Sequence, residues 1–225
     1  WVEKKDQLVS DIKSSIPWPV FVKPARLGSS IGIAKAKNDD ELILAIEVAL
    51  HYDSKVLVEE SVEDLMDITV AILGNEDPIP SLIQESSYSK DFFSYEDKYL
   101  KEGGAQTGNA EKSIIIPARL DEKVTKEIQD MAVDIYKMMG CSGIARVDFL
   151  YDKTFKKYYA NEINTLPGTI YHHLWKKSGI ELKDLLSRLI DLAKEKYDKK
   201  QKLTYTFESD ILKKAGGTKM KLKGI

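Results

Sequence analysis

The sequence contains one cysteine, Cys141, and therefore cannot form an intramolecular disulfide. It contains no apolar run near the roughly 20 residues that a membrane-spanning helix requires. Neither sign of charge dominates, because 34 basic residues face 36 acidic ones and leave a net charge of -2. Such a balance gives no general attraction to nucleic acid or to membrane surfaces. We therefore expect a cytoplasmic protein, in a reducing compartment, with neither nucleic acid nor membrane as a partner.

Two motifs of known chemistry are missing or incomplete. No Gly-x-x-x-x-Gly-Lys-Ser/Thr loop occurs, so nothing supports a P-loop nucleotide site. Residues 28–32 match Gly-x-Ser-x-Gly, the nucleophile elbow of hydrolases, with Ser30 as the candidate nucleophile. That motif requires a strand, a sharp turn and then a helix, whereas residues 33–36 have the composition of a strand. A serine hydrolase is an alternative that lacks this context.

The length of 225 residues, with 43% hydrophobic and 31% charged residues, is typical of a soluble globular protein with one large or two small domains. Residues 1–76 begin with a poorly patterned polar stretch, residues 1–16. Strand-like runs follow, interrupted by a helix that begins at the capping box of Asn38 and Glu41. This part predicts an antiparallel sheet, including a strand at residues 68–73, with one covering helix.

The remainder of the chain predicts a second α+β unit at residues 77–198. Its residues 86–112 show no periodicity, and a stretch of that length in a compact domain predicts a mobile loop. A helix capped by Asp121 and a last helix with leucines at helical spacing complete the unit. Residues 199–225 are rich in lysine and predict a solvated tail.

The strongest chemical signal is a predicted hairpin near the middle of the chain. Residues 145–149 and 161–164 both have strand composition, and a turn signal separates them. Alternating side chains put Glu162 and Asn164 on one face, and the hairpin brings Asp148 alongside them. Carboxylate and amide oxygens on a rigid sheet suit Mg²⁺. The sequence therefore predicts a metal-nucleotide site, and the alternative is a surface hairpin with solvated carboxylates.

Basic and acidic side chains at other strand ends are compatible with a nucleotide. Lys23 ends a buried strand just before the glycine-serine loop, where a lysine and backbone amides can bind phosphate. Glu59 and Glu60 end another strand and could accept hydrogen bonds from adenine or ribose, and Asp67 is similar. Each of these residues could equally be a solvated strand end.

Taken together, the residues resemble a known family. Six motifs occur in the order expected of D-alanine–D-alanine ligases, which belong to the ATP-grasp superfamily: residues 21–32, 58–60, 68–74, 95–100, 145–149 and 161–168. The resemblance implies an α+β fold in which two subdomains with antiparallel sheets grip ATP. It also implies that the chain is a C-terminal fragment, with part of the central subdomain at residues 1–76 and the C-terminal subdomain at residues 77–198.

The resemblance implies roles for the matching residues. Lys23 would contact the ATP phosphates, and Glu59 and Glu60 would bind adenine and ribose, with Asp67 where the family usually has glutamate. Two Mg²⁺ ions, or Mn²⁺, would be held by oxygens, and further groups would act on the substrate. The metal ligands would be Asp148, Glu162 and Asn164; the oxyanion site would be Arg146 and the Gly168 amide; closing loops would carry Ser29, Ser30, Lys98 and Tyr99.

One segment departs from the family pattern. After Gly168 the family usually continues Phe-Thr, with a serine a few residues on that binds the carboxylate of the acceptor. Residues 169–175 here include His172 and His173, and His173 aligns with that serine. Imidazole can bind a carboxylate with a different reach and pH dependence. The alternative is that both histidines merely begin the next helix.

The expected function is an ATP-dependent ligase that joins two D-alanines through an acyl phosphate, for peptidoglycan precursors. A ligase with a different acceptor is the second hypothesis, prompted by His173. A nucleotide-binding fragment without catalysis is the third. D-alanine and ATP are the expected partners, and a homodimer is compatible with the family.

Overall fold

The computed structural model describes residues 1, 3–28, 30–86 and 114–203. These residues form helices and strands, and the strands make two separate sheets. The elements are α1 (Lys5–Ser15), β1 (Val20–Pro24), β2 (Ala34–Ala36), α2 (Asp39–Tyr52), β3 (Val56–Glu60), β4 (Leu65–Gly74), β5 (Ile79–Ser86), β6 (Ile114–Ile115), α3 (Glu122–Met138), β7 (Gly143–Asp152), β8 (Lys157–Asn164), α4 (His172–Lys177) and α5 (Leu182–Gln201).

The first sheet has three antiparallel strands in the order β2-β1-β3. Val20 and Val22 alternate with more exposed residues on β1 and are buried against α2, which contributes Leu42 and Ile46. Asn38 begins α2 as predicted, because its side chain accepts a hydrogen bond from the backbone N–H of Glu41. The opposite face of β1 and β3 carries Lys23 and Glu59.

The second sheet has five antiparallel strands in the order β6-β5-β4-β7-β8. One face, with Ile68, Val70 and Phe149, packs against α3. The other face is covered at one end only, where Leu174 of α4 and Leu185 of α5 join a small apolar cluster. The uncovered remainder of this second face carries the site described below.

Three features differ from the expectations drawn from the sequence. Residues 5–15 form α1, a helix that the poorly patterned polar start did not predict; buried Val9 packs this helix against the first sheet's core. The expectation that the strand at residues 68–73 joins the first sheet is wrong, because β4 pairs with β5 and β7. The sheets therefore part between β3 and β4, upstream of the predicted division at residues 76 and 77. The predicted tail begins inside α5, which continues to Gln201.

The predicted hairpin, the capped helix after Asp121 and the α+β class are confirmed. The predicted loop at residues 86–112 lies outside the described residues apart from Ser86, as does the tail beyond residue 203. Among the described residues, no helix is both long enough and apolar enough to cross a membrane.

Candidate active site

Four polar side chains meet on one face of the β7–β8 hairpin. Asp148 pairs with Glu162 across the two strands, and Arg146 pairs with Asn164. Residues two apart on a strand share a face, so all four side chains project from the same side of the sheet. The predicted convergence of the two carboxylates and the amide is therefore confirmed.

The guanidinium of Arg146 joins the two carboxylates. Its Nε donates to Oδ2 of Asp148 at 2.8 Å, and its Nη2 lies 2.6 Å from the same oxygen. Nη2 also donates to Oε1 of Glu162 at 3.2 Å. A buried carboxylate requires such a counter-charge, because transferring an unpaired charge out of water is costly. Arg146 thus offsets the negative charge that the cluster concentrates.

Neutral donors complete the surroundings of Asp148. The hydroxyl of Thr69 on β4 donates to Oδ1 at 2.8 Å. Nδ2 of Asn164 donates to Oδ2 of Asp148 at 3.2 Å and to Oε1 of Glu162 at 2.9 Å. Thr69 was not identified from the sequence, because only the pairing of β4 with β7 places it opposite Asp148.

Burial and charge act in opposite directions on the pKa values of this cluster. Burial raises the pKa of Asp148 above its ordinary value, and the charge of Arg146 only partly opposes that shift. Burial lowers the pKa of Arg146, but the nearby Asp148 and Tyr171 outweigh it, so the net pKa of Arg146 is raised. The guanidinium is therefore a permanent cation in the site.

The donor set fits a hard cation that also binds phosphate. Within the described ranges, no three His, Cys, Asp or Glu side chains cluster as a closed metal site. Two carboxylates and one amide are present instead. Mg²⁺ that is bound together with substrate phosphates typically takes only a few of its ligands from the protein. Asp148, Glu162 and Asn164 are the residues that would hold it.

A lysine from the first sheet contacts β8 next to this cluster. Nζ of Lys23 lies 2.7 Å from Oε2 of Glu59 and donates to Oδ1 of Asn161 at 3.4 Å. The register of β8 against β7 shifts between Asp148 and Phe149, so Asn161 is the extra residue of a β-bulge. The bulge lets the neighbours Asn161 and Glu162 both lie beside the space between the two sheets, which is called the cleft below; in a regular strand they would point to opposite faces.

The residues that the sequence predicts to bind the nucleotide lie in three different places. Glu59 pairs with Phe21 and shares a face with Lys23. Glu60 pairs with Val20, whose side chain is buried against α2, so the structure does not bring Glu60 beside Lys23. Asp67 lies two residues from Thr69 on the face that carries Asp148.

The end of the cleft nearest α4 carries the histidine that departs from the family pattern. His173 is half-buried, and its Nε2 lies 2.7 Å from Oε1 of Gln84 on β5. Burial, with a smaller contribution from His172, lowers the pKa of His173 below its ordinary value of 6.5. The ring is therefore neutral at pH 7. Gln84 pairs with Thr69, and Thr69 pairs with Asp148. The partner of His173 and the carboxylates therefore lie in one row of residues across the sheet.

The remaining predicted residues are only partly described. Ser29, Lys98 and Tyr99 lie outside the described residues. Ser30 lies in a turn between β1 and β2, so the helix that a nucleophile elbow requires is not there. Gly168 is exposed in the segment between β8 and α4. The roles assigned to these residues stay predictions.

Comparisons with known proteins agree with one another. The family model described as D-ala D-ala ligase C-terminus matches residues 1–191. The chain is 44% identical over 209 residues to the D-alanine–D-alanine ligase of Caldicellulosiruptor bescii, covering 91% of this chain and 55% of that protein. It is 42% identical over 195 residues to D-alanine–D-alanine ligase B of Clostridium tetani, covering 85% and 52%.

Solved structures give the same picture. The D-alanine–D-alanine ligase of Coxiella burnetii matches with a TM-score of 0.71 at 31% identity, over 88% of this chain and 51% of that one. The VanG D-Ala:D-Ser ligase of Enterococcus faecalis matches with a TM-score of 0.70 at 35% identity, over 84% and 54%. The chain spans about half the length of the relatives it matches.

Proposed function

Because this chain belongs to the D-alanine–D-alanine ligase family, we propose that it forms the ATP-binding part of a ligase that joins two D-alanines. It has the ATP-grasp fold of its solved relatives, with two antiparallel sheets on either side of a cleft. The observation that carries the proposal is the meeting of Asp148, Glu162 and Asn164 beside Arg146, with Lys23 reaching the same cleft from the other sheet.

The proposed reaction has two steps. The carboxylate of the first D-alanine attacks the γ-phosphorus of ATP, which gives an acyl phosphate and ADP. The neutral amine of the second D-alanine attacks the acyl carbonyl, loses a proton to solvent, and the tetrahedral intermediate expels phosphate. One ATP and two D-alanines thus give the dipeptide, ADP and phosphate, for peptidoglycan precursors made in the cytoplasm.

The residues of the cleft have distinct proposed tasks. Lys23 binds the phosphates, and Glu59 on the same face binds the adenosine. Arg146 stabilises the oxyanion of the tetrahedral intermediate, because a fixed cation where charge develops lowers the barrier. Mg²⁺, or Mn²⁺, held by Asp148, Glu162 and Asn164, would neutralise the charge on the phosphates.

A different acceptor is the second candidate, and one observation favours it. His173 stands where the family pattern has serine, and it is neutral and hydrogen-bonded to Gln84 rather than to a cation. The VanG relative is itself a D-Ala:D-Ser ligase. Imidazole has a different reach from a serine hydroxyl, so this position can select a different second substrate.

Phosphate release by the natural protein, with ATP, Mg²⁺ and single or paired D-amino acids, tests the proposal. Phosphate release when D-alanine is the only amino acid added supports the D-alanine ligase. Release only when D-serine or another acceptor is added supports the second candidate. No release with any acceptor, despite ATP binding, leaves a nucleotide-binding protein and overturns both. Light scattering on the same sample tests the expected homodimer.

A further inference from the structure

Arg146 has one partner that is not a proposed metal ligand. Its Nε and Nη2 contact the carboxylates of Asp148 and Glu162. Its Nη1 instead donates to the hydroxyl of Tyr171 at 3.1 Å. The Tyr171 ring also lies over the guanidinium, with its centroid 5.5 Å from Cζ. Tyr171 therefore interacts with Arg146 through both its hydroxyl and its ring.

A cation held by the two carboxylates competes with the guanidinium for the same oxygens. The attraction between Arg146 and those carboxylates weakens when another positive charge neutralises them. The hydroxyl of Tyr171 is neutral and takes no part in that competition. It is the described partner that stays available to Arg146 in a metal-loaded cleft.

The backbone around Tyr171 is unusual in a way that fits a positioning task. Ile170 and Tyr171 have φ values of 47° and 52°, and neither is glycine. Such left-handed residues are strained and persist where the surroundings enforce them. Here Leu174 and Trp175, both buried, fix α4 against the sheet and turn Tyr171 towards Arg146.

We propose that Tyr171 is a positioning residue that holds Arg146 in the cleft when the carboxylates are occupied by metal. The inference rests on the proposed function, because it assigns Arg146 to the oxyanion and Asp148 and Glu162 to the metal. It adds a residue that the family resemblance did not assign. It also gives a reason for the strained start of α4.

The test compares Tyr171→Phe with Tyr158→Phe in the natural protein. Both changes remove one tyrosine hydroxyl near the second sheet, but the Tyr158 hydroxyl bonds Glu127 of α3, away from the cleft. Phenylglyoxal, which modifies accessible arginines, is applied with and without Mg²⁺ and ADP. Peptide mass spectrometry follows the adduct on Arg146, with the exposed Arg188 as the internal reference.

Without Mg²⁺ and ADP, we expect Arg146 to react at similar rates in all forms, because the carboxylates hold it. With Mg²⁺ and ADP, we expect about tenfold faster modification in Tyr171→Phe only, the scale of one hydrogen bond to a charged group. Equal rates in both conditions would overturn the inference. So would an acceleration in Tyr171→Phe that is the same without Mg²⁺ and ADP, because that indicates a merely structural role.

Steady-state kinetics supply a second readout. We expect Tyr171→Phe to lower kcat about tenfold while the KM for ATP and the melting temperature stay unchanged. An unchanged kcat contradicts the positioning role. Because the labelling does not depend on which amino acid is joined, a failure of the proposed function is recognised separately, by the absence of phosphate release from the unmodified protein.

Discussion

Lys23 of the first sheet donates from Nζ to Oδ1 of Asn161 in the second sheet, at 3.4 Å. This contact crosses the cleft, because β1 and β8 belong to different sheets. The distance is long for a hydrogen bond, so the contact orients the lysine more than it binds it. The same ammonium lies 2.7 Å from Glu59. The ammonium group of Lys23 is therefore already oriented towards the cleft before a phosphate enters it.

Replacing Lys23 by methionine tests its role in nucleotide binding. We expect the Kd for ATP with Mg²⁺ to rise at least about tenfold, because one charge-assisted contact to phosphate is lost. Isothermal titration calorimetry measures it. The control is Lys126→Met, which removes a lysine on α3 that pairs only with exposed Asp130 among the contacts described. Equal affinities for the two variants would remove Lys23 from the proposed site.

The packing of α4 against the second sheet is expected to be essential for stability. Leu174 is fully buried in the cluster that joins α4 and α5 to the cleft face of the sheet. We expect Leu174→Ala to lower the free energy of unfolding by about 2–5 kcal/mol, through lost burial and the cavity left behind. Leu186→Ala, on the exposed side of α5, should cost far less. Urea unfolding measures both, and similar losses would contradict this account of the packing.

Acid stability is expected to depend on Glu85. This carboxylate is buried, and its hydrogen bonds with Arg119 hold its pKa below the ordinary value of 4.5. Its contribution to stability is therefore complete above about pH 4.5 and is lost as the pH falls towards the lowered folded pKa, because the unfolded chain then binds the proton more readily.

The corresponding measurement is the melting temperature between pH 3 and pH 7. We expect Glu85→Gln to be less stable than the unmodified chain at neutral pH and to lose less stability on acidification. Glu3→Gln is the control, because Glu3 is exposed. If Glu85→Gln leaves the fall in melting temperature on acidification unaltered, other carboxylates control the acid stability and this prediction is wrong.

Local patterns in the sequence were enough to predict the core of the site. The alternation on β7 and β8, with a turn between them, predicts Asp148, Glu162 and Asn164 on one face, and the structure places them there with the help of the bulge at Asn161. The Asn38 cap likewise follows from a short motif. Features of this kind depend on residues close to one another in the chain, so rules of periodicity and helix capping can predict them.

Features that depend on distant pairing were missed for a physical reason. β4 is apolar on most positions, and nothing local distinguishes the first sheet from the second as its partner. Thr69 and Gln84 enter the site only through that pairing. Tyr171 enters it through a left-handed backbone, which no residue pattern at that point indicates. α1 has a single buried residue, Val9, and so a weak helical signal.

The central claim is that oxygens of Asp148 and Glu162 hold the metal that ATP needs. Phosphate release from ATP with D-alanine and Mg²⁺ tests it most directly, in Asp148→Asn, in Glu162→Gln and in the exposed-surface control Asp130→Asn. We predict that the first two lose about 100-fold or more in kcat with unchanged far-ultraviolet circular dichroism, while the control keeps its activity. Turnover near the unmodified rate in either cleft variant would contradict the account.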